Sequence, residues 1–327
     1  MDVGCFLNSQ APQGTPLSTL ADDLIAQTRA ARDADFDILT AGQHYLADYV
    51  QMQLVPLLSR LTAEAGSMTV GTGVVLLPLH HPVEIAEQAT SMASFCDDFF
   101  VGIGAGYRDV EFDAFGVPKH ERASRLTEGV ELMERLWTEE SVTYEGDHYA
   151  VEDVSITPRP DEKPEVWVAA NARRAVQRAA RIGDAWFVNP HATVTEIEEQ
   201  KRAYDAVREE HGEDTAVPVF REAFVADTHE EAVDTARDYL WEKYQRYIEW
   251  GQDEAMEDER DLHRPFDELA EDRFVLGTPA EVCEQIERYE EELNADAAVL
   301  RMSWPDMPSE KTIECIELMG DEVVPYV

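Results

Sequence analysis

Eight short apolar runs alternate with helical patterns along this chain, and that alternation restricts its fold more than any other feature. The runs are Val3 to Leu7, Phe36 to Thr40, Met68 to Leu77, Phe99 to Ile103, Val166 to Ala170, Ala185 to Val188, Val217 to Ala226 and Ala297 to Met302. Helical spacing of apolar residues fills the intervals, over 18–32, 50–64, 83–95, 121–137, 172–182, 194–210, 230–250 and 279–292, with 310–319 closing the chain. Repeated strand–helix–strand units build a parallel sheet, and eight of them close most economically into a (β/α)8 TIM barrel. Residues 1–327 therefore read as one barrel domain, with a doubly wound open sheet as the alternative.

The stretch from Met68 to Tyr107 shows the unit in detail. Its first strand is nearly all apolar, as a strand buried on both faces must be, and Pro78 stops it because proline donates nothing to a ladder. His81-Pro82 opens a helix with Glu84 and Glu87 near its positive end, and the next strand runs into Gly104-Ala105-Gly106. Such glycine-bearing strand ends are where a flat cofactor is expected to lie. Two segments break the alternation as insertions. Residues 141–156 contain VTYEGDHYAV, which reads as a hairpin about Glu145-Gly146-Asp147. Residues 251–272 are charged and poor in apolar anchors, and are read as an acidic lid or a solvated excursion before the capping box of Thr278 and Glu281.

The formal net charge of −41 excludes nucleic acid and anionic membrane surfaces as partners and leaves a small molecule. Acidic residues are spread over nearly every helix, while lysine is confined to Lys119, Lys163, Lys201, Lys243 and Lys311. This pattern is read as adaptation to high salt, where screening lets so many carboxylates coexist. Unfolding on removal of salt is the expected outcome; a melting temperature that does not respond to molar KCl would refute it. Cys5, Cys96, Cys283 and Cys315 are far apart and lie in apolar segments, so they read as buried thiols. With no basic leader and no long apolar run, a cytoplasmic location is expected.

In a barrel, catalytic groups come from the loops after the strands. Those loops carry Asn8, Gln43, His44, His80, Gly104 to Arg108, Asn171 to Arg174, Asn189 to His191 and Arg301, a set poor in carboxylates. An acid pair of the glycosidase type is thereby disfavoured, and neither a serine elbow nor a complete dinucleotide-binding glycine turn is present. No metal site is expected: His80 and His81 are adjacent and point opposite ways in extended chain, and no carboxylate accompanies them at ligand spacing. Arg173 and Arg174, at the positive end of a helix, are suited to a phosphate.

The segments VGTGVVLLPLHHPVEIAEQATSMASF, FFVGIGAGYRDVEFDAFGVP, ERASRLTEGVELMERLW and PEVWVAANARRAVQRAARIGDAW, in that order, resemble the luciferase-like monooxygenases, a family of flavin- and coenzyme F-420-dependent oxidoreductases. The resemblance implies a TIM barrel, usually a homodimer, binding a reduced flavin or deazaflavin at its C-terminal mouth. It implies a non-prolyl cis peptide at Gly73-Val74 under the ring, His44 as the catalytic acid or base, and cofactor binding by Gly104, Ala105, Gly106, Tyr107, Asn171, Ala172, Arg173 and Arg174. The chain departs from bacterial luciferase at Ala105, where that protein has arginine, and at Gln43, where it has glutamate. It also lacks the glutamate that the deazaflavin dehydrogenases commonly have near Tyr107. The expected activity is an FMN-dependent monooxygenase acting on a small organic substrate, with a possible separate flavin reductase as partner. Hydride transfer with coenzyme F-420 and a flavin-binding protein without turnover are the alternatives.

Overall fold

The computed structural model describes residues 1–212, 214–253, 256 and 261–327. Eight parallel strands form a closed ring: β1 (Asp2–Leu7), β2 (Ile38–Ala41), β3 (Thr69–Thr72), β4 (Phe99–Gly104), β5 (Glu165–Ala170), β6 (Ala185–Val188), β7 (Val219–Val225) and β8 (Ala297–Arg301). β8 pairs with β1 through Ala297–Asp2 to Leu300–Cys5, which closes the ring. The protein is a (β/α)8 TIM barrel, and each strand coincides with one of the eight apolar runs.

Helices α1 (Leu17–Asp33), α2 (Leu54–Ala65), α3 (Pro82–Ala93), α4 (Asp109–Phe115), α5 (Arg122–Thr138), α6 (Arg173–Ile182), α7 (Val194–His211), α8 (His229–Glu249), α9 (Phe266–Ala270), α10 (Pro279–Leu293) and α11 (Ser309–Glu322) surround or edge the barrel. Helices α4 and α9 are additions to the expected set. Among the described residues, no helix is long and apolar enough to cross a membrane.

Strand residues alternate between two environments, as period-two geometry requires. Outward residues such as Val3, Leu39, Val70 and Val101 join the helices in the larger core. Inward residues Phe6, Ile38, Phe100, Trp167, Phe187, Phe220 and Val299 fill the barrel. Phe100 stacks on Trp167 at 3.6 Å and Phe6 on Phe220 at 4.3 Å. β3 contributes no ring here because a Cβ on Gly71 would stand 2.1 Å from the Phe100 ring. The aromatic layers plug the barrel, so only its upper end is free to hold a ligand.

Two expected boundaries differ. The run from Met68 to Leu77 is broken at Gly73-Val74, and pairing resumes at Val75–Leu76 against Ile103 and Gly104. α2 starts at Leu54 instead of Val50, because Val50–Gln51 pairs antiparallel with Gln10–Ala11 and the Gln43 side chain accepts from the Leu54 N–H at 2.7 Å. The hairpin is present as Val142–Glu145 against Ala150–Val154. Glu128 of α5 docks it by accepting from the N–H groups of Asp147, His148 and Tyr149. The capping box at Thr278 is also formed, with Glu281 accepting from both the N–H and the hydroxyl. Of the 251–272 segment expected as a lid, residues 254, 255 and 257–260 lie outside the described residues.

Candidate active site at the barrel mouth

Above the aromatic plug lies a cavity of about 420 Å³, within the range of ligand pockets. The inward register of each strand, carried past its end, supplies the lining: Asn8 after β1, Gly42 and His44 after β2, Gly73 after β3, Gly104 and Gly106 in and after β4, Asn171 after β5, Asn189 and His191 after β6, and Arg301 ending β8. The same alternation that fills the barrel with rings thus fills its mouth with polar groups and glycines.

One wall is built around His44. Its Nδ1 lies 3.4 Å from Glu111 Oε1, its backbone N–H donates to Gln51 Oε1 at 3.1 Å, and the rings of Tyr107, Tyr247 and Trp250 stand edge-on to the imidazole at 5.3–5.9 Å. With Nδ1 facing Glu111, Nε2 is the nitrogen left for a ligand. Glu111 is fully buried on α4, where it also accepts from the Tyr45 N–H at 2.8 Å and from Arg108 at 3.3 Å. Arg108 in turn donates to the Tyr45 carbonyl at 2.6 Å and lies 4.1 Å over the Trp250 ring. The His44 loop, α4 and the end of α8 are thereby tied together by one buried charge pair. Burial pushes the Tyr107 hydroxyl well above its ordinary range and the Tyr247 hydroxyl upward, so both stay protonated.

A second charged network lies on β7, β8 and α8, with Lys243 4.9 Å over the Tyr247 ring that also meets His44. Glu222 accepts from Lys243 at 2.5 Å, from Trp304 at 2.7 Å and from Arg301 in a bidentate contact. Burial alone would raise the Glu222 carboxyl, but Arg301 and Lys243 outweigh it and hold it far below the carboxylate range. Burial and then the Arg301 charge push Lys243 down. Burial, with Lys243 nearby, pushes His191 well below its ordinary value, so that imidazole is neutral.

The floor and far wall suit a flat ring. Gly104 leaves room that a Cβ could not take, since it would meet Val74 Cγ2 at 2.8 Å, and Gly106 adopts φ +74°, in the left-handed region that favours glycine. The Gly73-Val74 peptide is cis. Around this floor the Tyr107 hydroxyl, Asn189 Nδ2, Gln10 Oε1 and Arg178 Nε are sealed from water without a hydrogen-bond partner. Buried groups of this kind are normally satisfied, so they mark positions that a ligand with mixed donor and acceptor edges would fill.

Of the residues expected at the site, His44, Gly73, Val74, Gly104, Ala105, Gly106, Tyr107, Asn171 and Ala172 line the cavity. Arg173 and Arg174 do not. They are exposed on the first turn of α6, and Arg122 and Arg178 face the cavity instead. The expectation of a site poor in carboxylates holds for the cavity lining, which carries no Asp or Glu among the described residues, while Glu111 and Glu222 stand behind it in its buried frame. Glu111 lies in a stretch to which the sequence reading assigned no element; its signal was the helical pattern of DVEFDAF, which ends at Gly116 in the left-handed conformation.

Comparison with known proteins gives a consistent family. Residues 1–295 match the family model described as luciferase-like monooxygenase. An F420-dependent glucose-6-phosphate dehydrogenase of Intrasporangium calvum is 32% identical over 176 residues, 50% of this chain and 53% of that protein. An F420-dependent hydroxymycolic acid dehydrogenase of Mycobacterium tuberculosis is 29% identical over 175 residues, 51% of this chain and 48% of that protein. The chain thus spans about half the length of these curated relatives. Among solved structures, a monooxygenase from Streptomyces bottropensis superposes with a TM-score of 0.87 at 22% identity over 99% of both chains. An F420-dependent secondary alcohol dehydrogenase does so with 0.80 at 16% identity over 98% of both. At these identities the structures speak for the fold alone.

Proposed function

Because the chain belongs to the luciferase-like monooxygenase family, we propose that it is an oxidoreductase whose barrel mouth holds a deazaflavin of the coenzyme F-420 type and oxidises or reduces a small alcohol or carbonyl compound. The observation that carries this reading is the glycine floor with unpartnered donors and acceptors around it, which suits a flat ring bearing carbonyl and N–H groups on its edge. The sequence relatives named as F420-dependent shift the cofactor from the FMN expected at first to the deazaflavin. When bound, such a cofactor supplies a ring carbon that exchanges a hydride with the substrate.

The chain's own part is positional and protic. Gly73, Val74 and Gly104 would carry the ring, and Asn189 and Tyr107 would bond its polar edge. Nε2 of His44 would hold or release the proton of the substrate oxygen, while Glu111 fixes the imidazole from the Nδ1 side. The three aromatic rings about His44 keep water from that end of the cavity.

The aromatic enclosure of His44 also suits a second reading, an FMN-dependent monooxygenase supplied by a separate reductase. Both readings carry the homodimer that the resemblance implies. Anaerobic titrations in high salt with reduced FMN and with reduced coenzyme F-420 separate them. Tighter F-420 binding, stable when air is admitted, is the expected result; oxygen consumption with FMN and substrate would replace it with the monooxygenase, and binding of neither ring would end both.

A further inference from the structure

A second imidazole lines the cavity and takes no part in the chemistry assigned to His44. His191 follows β6, which stands four strands from β2 in the ring of eight, so it faces His44 across the mouth. The Tyr247 ring meets both, with its centroid 5.7 Å from His44 and 6.2 Å from His191. The position of His191 is fixed from three sides. Its N–H donates to Asn189 Oδ1 at 2.8 Å, its carbonyl accepts from Arg273 Nε at 2.6 Å, and its Nδ1 stands 3.2 Å from the Tyr244 hydroxyl.

These contacts leave Nε2 for the cavity, and they give it a hydrogen. Burial pushes the Tyr244 hydroxyl well above its ordinary range, so it stays protonated. It has one hydrogen to donate, and His191 Nδ1 is the nearer of its two acceptors, the Pro190 carbonyl being at 3.4 Å. Nδ1 therefore accepts, and the proton of the neutral ring sits on Nε2. The charges of Lys243, Arg301 and Arg273 oppose a second proton, with Glu222 acting the other way. His44 has the opposite surroundings, with a carboxylate at its Nδ1. Two imidazoles placed so differently divide the work: the one beside the carboxylate exchanges a proton, and the one among cations donates a hydrogen bond. The cavity lining carries no Asp or Glu among the described residues, so the acceptor for Nε2 has to come with the ligand.

We propose that His191 binds a second oxygen of the substrate, a carbonyl oxygen across the mouth from the one that reacts at His44, so that the substrates are hydroxycarbonyl or dicarbonyl compounds on a short carbon skeleton. This rests on the reading that the cavity is an oxidoreductase site, and it extends that reading from one alcohol or carbonyl group to a pair. His191 takes no proton in the reaction. It sets which end of the substrate lies at His44, and a site built to bond an oxygen rejects the analogue that lacks it, because its donor is then left buried and unpaired.

Cyclohexanone and 1,4-cyclohexanedione share a skeleton and differ by one carbonyl oxygen, so their binding to the intact protein in high salt, with and without a reduced ring cofactor, tests the assignment. The parent is expected to bind the dione roughly tenfold to a hundredfold tighter than the monoketone. His191→Phe, which keeps a flat ring and removes the donor, is expected to bind the two alike. His191→Gln, which keeps an N–H, retains part of the preference and controls for folding. Nitrogen-15 spectra of histidine-labelled protein, with the His191 signal identified by its loss in His191→Phe, are expected to show a neutral ring protonated at Nε2 that shifts when the dione is added. A proton at Nδ1, no preference of the parent for the dione, or a preference that survives His191→Phe overturns the assignment. Failure of every ring to bind removes the oxidoreductase reading instead, and is told apart because the ketone affinities and the tautomer are also measured without a ring.

Discussion

His44→Ala is expected to lower turnover by roughly 10²–10⁴-fold while cofactor affinity changes little, the range lost when a positioned acid or base is removed. The imidazole lies in the loop after β2 at the cavity mouth and not in the aromatic layers that fill the barrel, so its removal is expected to leave the fold intact. Glu111→Gln offers a finer test. A glutamine oxygen can still accept from the Tyr45 N–H, and Arg108 keeps its bond to the Tyr45 carbonyl. The charge beside Nδ1 is gone, however, and Arg108 loses its counter-ion, so a loss of stability is expected as well and urea unfolding is measured alongside the kinetics. A fall in kcat with an altered pH–rate profile is the expected outcome, with KM nearly constant. Parental turnover by His44→Ala, measured with a substrate on which the parent is active, would remove His44 from the chemistry.

Glu222→Leu carries the second large effect, this time on stability. Its carboxylate is the only acidic partner recorded for both Lys243 and Arg301 among the described residues, and all three are buried. Removing it strands two cations and is expected to cost about 3–5 kcal/mol, the usual penalty for breaking a buried pair from one side. Lys243→Met is expected to be far milder, because it leaves Glu222 and Arg301 as a balanced bidentate pair. Urea unfolding of both variants decides the matter: equal costs would show that the triad is not organised around its carboxylate. The sign of the pH dependence follows from the same contacts. Glu222 is held below its ordinary value of 4.5, so its stabilisation is fully present above that pH and is lost as the pH falls through the folded-state value. Glu222→Leu should therefore flatten the acid limb of the stability profile.

Much of the barrel was legible in the chain. All eight strands fall on apolar runs seen in the sequence, because a parallel strand under helices is apolar on both faces and differs sharply from the polar helices beside it. The boundaries that differed have local causes. Val50 and Gln51 look helical next to α2, but a long-range partner, Gln10–Ala11, holds them extended. Gly73 and Val74 read as strand and instead interrupt it, which no period of two could reveal.

The site was legible in part, and the division is physical. Residues such as His44, Gly104 and Asn171 follow directly from strand ends, and a closed parallel barrel sends every strand end to one mouth. Their placement was determined by periodicity and connectivity, which are properties of the sequence alone. Which arginines face that mouth was decided by the rotation of α6 about its own axis, set by packing against α5 and α7, and this turned Arg178 inward and left Arg173 and Arg174 exposed. The pairing of Glu111 with His44, 67 residues apart, and of Glu222 with Arg301, 79 apart, likewise arose only when the ring closed. A charge has no period, so its partner is chosen by distance in the folded chain.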